Sequence, residues 1–522
     1  MKVYEGTILT VDEHDKVAKF LVEDKGRIIF VGDVLPEKYS KAKRIKLGNR
    51  ALAPAFVDSH QHFSSFAAFN AGLNVMDAES NEEILDMASD FAKRTKTKTL
   101  IAFGASPYSV KEGTLVTREQ LDSVESERPF FFVKYDGHAC VVNSALLEKV
   151  DGKVKNMRGY HPDTGEMNQE AFFEFSSYIT NTIPVTELIQ SMKKAVDYEA
   201  ANGIGMVHSV SGVGYPFDFD INLEKWFGRS IQNGFQMRVF SQTMDVKEVQ
   251  RRGFPRIGGC FKCALDGCFG SADAALNQPY EGTTDDYGVL YYTDKQVIDF
   301  CKKANRAGLQ IEMHAIGDRA FDQATRALKA ALDDYPRADH RHGIIHDCFP
   351  TAEGIQICKD YNIYMPMQTA FIGWRQEPDE YLQKILGKRA DLLNPMRDLW
   401  DAGILISAGS DGPCTNPNPI DWIEHAVNNP SMPSQSLTAK EALRMCTYNG
   451  YKTTFDEKER GSLEVGKIAD MVILSDDLYT MPKSEIKNLK VEETILGGKK
   501  YKKQSRTLPG TIIKGMTSNG MV

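Results

Sequence analysis

Two histidines two residues apart end the stretch Phe56-Val57-Asp58-Ser59-His60-Gln61-His62, directly after the apolar run Ala51–Val57. Alternate residues of a strand point to one face, so His60 and His62 can meet one metal ion. The plainer alternative is one histidine facing inward and one capping a loop. Far downstream, single polar residues end or sit in other apolar runs. His314 ends Leu309–Met313 and His346 ends Gly343–Ile345. Both are candidate metal ligands, since neutral imidazole is the commonest one, with a satisfied core histidine as the alternative. Asp411 follows the run that starts at Ile404 and precedes Gly412-Pro413. It offers a hard oxygen to a cation, or a base that takes a proton from water and returns it to a leaving group. Its alternative is a helix N-cap. Alternation sets Lys262, Ala264 and Asp266 on one face of Cys260–Leu265. An ammonium cannot bind a cation, so ligation by Lys262 requires a carbamate formed with carbon dioxide, which can bridge two metals. Otherwise Lys262 pairs with Asp266 or another carboxylate. Cys260 and Cys263 could ligate instead, but read as small buried core residues.

A second set of polar residues is expected around the substrate. Tyr135-Asp136-Gly137-His138-Ala139, with Asn143-Ser144 following, is a polar cluster just after a strand. Asp136 and His138 are therefore candidate substrate contacts, or members of a turn held by an Asx bond. His208, near the end of Met206-Val207-His208-Ser209, and Gln368, after Met365-Pro366-Met367, are read as pocket-lining. His340 and His342 precede their run and read as structural. Phe63, Phe66, Trp374 and Trp422 are candidates for an apolar wall.

Positioning these residues requires parallel strands. Eight apolar runs span the middle of the chain: Ala51–Val57, Gly205–Val210, Gln236–Phe240, Cys260–Leu265, Leu309–Ile316, Gly343–His346, Ile363–Met367 and Ile404–Ala408. Helical patterns such as Ile298–Ala307 and Phe321–Leu332 lie between several of them. Eight strands with crossover helices predict an α/β protein with a TIM-type (β/α)8 barrel, whose functional side chains gather at the strand C-terminal ends. The gap after the first run is too long for one crossover. Residues from about 64 to 185 read as an insertion, with a strand at Pro129–Val133 and helices at Ser80–Lys93 and Gln169–Tyr178. An insertion there forms a lid or wall of the site. Both chain ends read as short strands and turns, so 1–54 and 455–522 are expected to join as a small β-sandwich beside a barrel of 55–454.

Composition excludes several classes. Acidic side chains outnumber basic ones, 71 to 63, with no basic block, which disfavours nucleic acid as a partner. No apolar run approaches the roughly 18 residues of a spanning helix, and the N-terminus lacks signal architecture. The nine cysteines are odd in number and unpaired in spacing, as in a reduced cytoplasmic protein. A small molecule is the expected partner, and a homodimer stays open.

Taken together, the chain resembles the amidohydrolase superfamily, and within it the YtcJ-like (amidohydrolase type 3) group. The motifs are Asp58-Ser59-His60-Gln61-His62, Asp136-Gly137-His138, Lys262 with Asp266-Gly267, His314-Ala315-Ile316-Gly317-Asp318, Arg341–His346 and Gly409-Ser410-Asp411-Gly412-Pro413. Gly461–Asp470 looks like the superfamily's return from barrel to sandwich. Ala55 and Ile345 depart from the group's usual glycine and glutamate. The resemblance implies one or two divalent metals on His60, His62, a carboxylated Lys262, His314, His346 and Asp411; such donors suit zinc first, but also iron, manganese or nickel. It implies hydrolysis of an amide-type, N-acyl or cyclic-amide C–N bond, with Asp411 moving the proton and His138 assisting. Deamination of a ring amidine on the same site, or a non-catalytic metabolite-binding or regulatory barrel, are the competing readings.

Overall fold

The computed structural model describes residues 1–70, 72–150, 152–212 and 218–522. Six parallel strands pair side by side in the order Gly343–His346, Gln310–Ala315, Arg256–Gly259, Gln236–Ser241, Ile204–Ser211 and Phe56–Gln61. Two more, Met365–Met367 and Ile406–Ala408, pair in parallel with Met365 opposite Ile406. The Ile344 amide donates to the Tyr364 carbonyl (3.0 Å), joining the sixth strand to the seventh. The eighth meets the first where Asp411 N–H donates to His60 O and His62 N–H to Gly412 O, both at 2.9 Å. The ring therefore has the eight strands of a TIM-type barrel. Apart from half-buried Gln236, its strands are buried along their whole length, as expected where side chains fill the inside and helices cover the outside.

The helices follow their sequence patterns. Asp294–Arg306 begins with a capping box between Thr293 and Gln296 and buries Val297, Phe300, Cys301 and Ala304. That spacing makes one apolar stripe toward the barrel. Asp318–Asp334 does the same with Phe321, Ala324, Leu328 and Ala331.

The fourth strand departs from expectation. It is Arg256–Gly259, and the run Cys260–Leu265 is not a strand: Phe261–Cys263 forms a single 3-10 turn. Gly258 and Gly259 have φ of +109° and +125°, and Phe261 of +44°. A Cβ on Gly258 would stand 1.8 Å from the Glu312 carbonyl oxygen of the next strand, so glycine is required there. This bend ends the two-residue alternation on which the placement of Lys262 rested.

Both chain ends do join. Their strands form one hydrogen-bonded seven-stranded sheet: Lys499–Lys500, Val491–Leu496, Met471–Leu474, Lys43–Pro54, Lys2–Leu9, Val17–Asp24 and Arg27–Gly32. The free edge of Arg27–Gly32 meets the segment entering Met471–Leu474, through Ile28 N–H to Lys467 O (2.9 Å) and Gly466 N–H to Ile28 O (2.8 Å). The expected sandwich is thus one continuous sheet that returns on itself around Tyr4, Ile8, Leu52, Met471 and Ile495. After it, helix Leu508–Thr517 leaves the sheet and lies on barrel helix Phe219–Ser230, where Gly515 sits against the Trp226 backbone.

The insertion between the first two barrel strands carries its own six-stranded sheet, including Leu100–Phe103, Phe130–Val133 and Ala139–Val142. Helix Asn81–Arg94 starts at Ser80, whose hydroxyl accepts from Glu83 N–H (3.1 Å). Among the described residues, no helix is long and apolar enough to cross a membrane. All nine cysteines are free thiols.

Candidate metal centre

Four barrel strands deliver ligand-type side chains to one point. His60 and His62 come from the end of the first strand, His314 from the fifth, His346 from the sixth, and Asp411 from just past the eighth. All are buried. Asp411 Oδ1 lies 3.1 Å from His60 Nε2 and 3.3 Å from His62 Nε2, yet it has no hydrogen-bond partner of good geometry. The imidazole centroids of His60 and His346 are 5.3 Å apart, and those of His314 and His346 4.6 Å. Ligands of one tetrahedral cation, with bonds of about 2.0–2.2 Å, stand roughly 3.4 Å apart. The nitrogen–oxygen separations here are close to that, so the residues fit a divalent metal.

Neighbouring groups fix three of these side chains, while His60 Nδ1 and His62 Nδ1 are buried without a hydrogen-bond partner. His346 Nδ1–H donates to Gln368 Oε1 (2.7 Å), which leaves its Nε2 lone pair available. His314 Nε2 is 3.1 Å from the Gly267 carbonyl oxygen. Asp411 has φ of +53°, and its loop is pinned by Asp58. That carboxylate accepts from Ser410 Oγ–H (2.5 Å), Ser410 N–H (2.9 Å) and Gln61 Nε2–H (3.1 Å). Asp266, fully buried, accepts from the amides of Ile316 (3.0 Å), Gly317 (2.8 Å) and Ala275 (2.9 Å), holding the loop after His314.

The electrostatics suit cation binding. Burial lowers the imidazoles of His60 and His346, the latter far below its usual value, so both are neutral at pH 7. Burial lowers His314 as well, but the Asp266 carboxylate beside it outweighs this and raises it. Burial would raise the Asp411 carboxyl, but the surrounding imidazoles of His60, His62 and His346 hold it well below the usual range.

Lys262 is not brought to this point. Its ammonium pairs with Asp218 Oδ1 at 2.6 Å, and its side chain is 48% exposed. The bend at Gly258-Gly259 turns it toward the mouth of the site and turns Cys260 inward instead. Cys260 Sγ lies 3.4 Å from His60 Nε2 and 3.6 Å from His346 Nε2. The reading of Cys260 as ordinary core packing is corrected by this position.

A cavity of about 1390 Å³ opens from the metal cluster to the insertion. His62, Cys260 and Asp411 line its floor, and His138, Phe172 and Trp374 line its walls. Asp136 also faces it. Burial raises that carboxyl, but Lys134 (2.9 Å) and His138 outweigh burial and lower it. Glu377 is raised to about 7, chiefly by burial, with the Tyr135 hydroxyl donating to it at 2.7 Å. Nothing in the sequence points to that pair, because Glu377 lies outside every motif named above.

Three expectations are corrected. His208 does not reach the cavity: its Nε2 meets Thr454 Oγ1 (3.1 Å) inside the barrel. Gln368 holds His346 and is not on the cavity wall. Phe63, Phe66 and Trp422 belong to the main core, so of the proposed aromatic wall only Trp374 lines the cavity. His340 and His342 are structural: His340 Nε2 meets Tyr361 O (2.7 Å), and His342 Nδ1 accepts from Ile311 N–H (3.0 Å).

The chain is similar to several known proteins. The chain is 25% identical to the YtcJ amidohydrolase of Bacillus subtilis (strain 168), covering 94% of this chain and 97% of that one. It is 25% identical to an N-substituted formamide deformylase of Arthrobacter pascens, over 95% and 97% of the two chains. The crystal structure of an uncharacterized metal-dependent hydrolase from Pyrococcus horikoshii OT3 superposes with a TM-score of 0.74 at 22% identity, over 92% of this chain and 99% of that one, a likeness of fold. The model of the amidohydrolase family matches residues 43–500, and the chain belongs to that family.

Proposed function

We propose that this chain hydrolyses an amide-type, N-acyl or cyclic-amide C–N bond in a small molecule that carries a bulky, partly apolar group. The observation that carries the reading is the convergence of His60, His62, His314, His346 and Asp411 on the floor of the cavity. These five residues would hold the metal, and zinc suits their nitrogen and oxygen donors. When bound, the ion supplies a Lewis acid and brings the pKa of water toward neutrality. The Asp411 carboxylate, ionised at neutral pH, takes the proton from the attacking water and delivers it to the departing nitrogen. The His138 ring, on the cavity wall, donates to the substrate oxygen as negative charge builds there. Phe172 and Trp374 bury the apolar part of the substrate and exclude bulk water. The deformylase name of the Arthrobacter pascens relative supports an N-acyl substrate, and the nine free thiols support a cytoplasmic location.

The test is a panel of N-formyl amines, N-acyl amines and cyclic amides with zinc-loaded protein, read as amine or ring-opened acid released. Turnover that stops in Asp411→Asn, with unfolding temperature kept, is the expected result. Full activity in Asp411→Asn removes the proton role assigned to that residue. No turnover of any member by metal-loaded protein removes the hydrolase reading.

A further inference from the structure

We propose that Cys260, as a thiolate, is a metal ligand shared by the two halves of the histidine cluster, in the place that Lys262 was expected to fill. This rests on the reading of the cluster as a metal centre.

The geometry is specific. Ligand atoms of Cys260, His60 and His62 lie within 4.8 Å of one another, and so do those of Cys260, His314 and His346. Cys260 thus belongs to the set from the first strand and to the set from the fifth and sixth. A zinc–sulfur bond of about 2.3 Å and a zinc–nitrogen bond of about 2.0 Å, at the tetrahedral angle, put sulfur and nitrogen roughly 3.5 Å apart. Sγ stands 3.4 Å from His60 Nε2 and 3.6 Å from His346 Nε2. One thiol proton serves only one of these nitrogens, whereas a cation on either side satisfies both.

A second observation points the same way. Asp411 Oδ1, in a side chain only 9% exposed, lies against the cluster without a hydrogen-bond partner. The backbone fixes the choice between the two residues. Glycines at positive φ end the fourth strand, Cys260 N–H is held by Gln242 Oε1 at 2.9 Å, and the chain then turns away. Lys262 is left with Asp218, and Tyr292 O–H donates to its carbonyl oxygen at 2.6 Å. On binding, the thiol proton is released to solvent and sulfur donates a lone pair to the cation.

The probe is cobalt(II), loaded into wild type, Cys260→Ser, Cys260→Ala and Lys262→Ala. Wild type is expected to show a near-ultraviolet sulfur-to-cobalt charge-transfer band. That band disappears in both Cys260 variants, and their cobalt affinity in competition with a chelator falls at least tenfold. Lys262→Ala is expected to keep band and affinity, and removing bicarbonate changes neither. A wild-type complex without the band, or cobalt lost from Lys262→Ala and retained by Cys260→Ser, overturns the assignment while leaving the metal centre standing. Failure of wild type to bind cobalt overturns both.

Discussion

Gln368→Ala is the perturbation that best separates a residue acting on the metal from one acting on the substrate. Gln368 follows the seventh barrel strand, and its Oε1 accepts the Nδ1–H of His346 at 2.7 Å, with both side chains buried. Truncation leaves that N–H without an acceptor at a buried position. A buried donor so orphaned costs about 1–3 kcal/mol. Metal binding draws on the lone pair of the same ring, so the cost appears as lost affinity, roughly 5- to 150-fold at about 1.4 kcal/mol per tenfold. Removing the outer partner of a ligating histidine typically costs about 10- to 100-fold, so the two routes agree. The assay is zinc competition with a chelator of known affinity, on wild type, Gln368→Ala and Gln368→Glu. Gln368→Ala should bind zinc about 10- to 100-fold more weakly, and Gln368→Glu, which keeps an acceptor facing Nδ1, should recover most of the loss. KM at saturating zinc should not change, because Gln368 is not on the cavity wall. Unchanged zinc affinity with a raised KM would refute this reasoning and restore the role in substrate binding that its place after the seventh strand suggested.

Chelation should lower the unfolding temperature, since a metal that binds only the folded chain at 100 times its dissociation constant adds about 2.7 kcal/mol; an unchanged melt after verified metal removal would count against the centre. Glu224 is buried and raised to about 7, mainly by burial, against a usual value of 4.5, even though Ser209 Oγ–H donates to it at 2.6 Å. A carboxyl raised in the folded state contributes stability that is complete below its unfolded value and lost as pH rises through 7. Glu224→Gln should therefore gain on wild type as pH rises from 5 to 8, by about 3 kcal/mol in all at about 1.36 kcal/mol per pKa unit. Parallel melting curves for the two proteins across that range would exclude a raised Glu224.

The barrel and the histidines were legible in the sequence because their signals are local. A parallel strand buried on both faces is a short apolar run, and a functional residue at its C-terminal end is the polar residue that stops it, as at His314, His346 and Asp411. Lys262 was misplaced because a strand was assumed to run from Cys260 to Leu265, beyond the two glycines whose positive φ already ends it. Gly258-Gly259 was itself the available signal, since adjacent glycines inside an apolar run mark a bend or a close backbone approach. Cys260 follows that bend, and its residue type is as common in cores as at metals. Asp58 stands two residues before His60, on the same strand, yet nothing local says that its partner is Ser410. Gln368 was assigned to the pocket wall, because its contact with His346 crosses from one strand to the next and leaves no local sign.

The closing seam of the barrel and the assembly of the site are one structural event. The first and eighth strands meet through Ser59 Oγ–H to Ala408 O (2.8 Å), Asp411 N–H to His60 O and His62 N–H to Gly412 O. Asp58 adds its bonds to both the amide and the hydroxyl of Ser410. Every one of these contacts involves a ligand-type residue or lies within three positions of one. His60 and His62 belong to the first strand and Asp411 to the loop after the eighth, so the seam alone brings them side by side. Once the seam forms, Asp411 Oδ1 stands within 3.3 Å of His62 Nε2 and 3.1 Å of His60 Nε2. A cation that prefers this cluster therefore prefers the closed barrel by the same free energy, so metal affinity reports on the seam as well as on the ligands. A metal held by this cluster would therefore add stability to a strand pair that is short, parallel and joined by few backbone bonds.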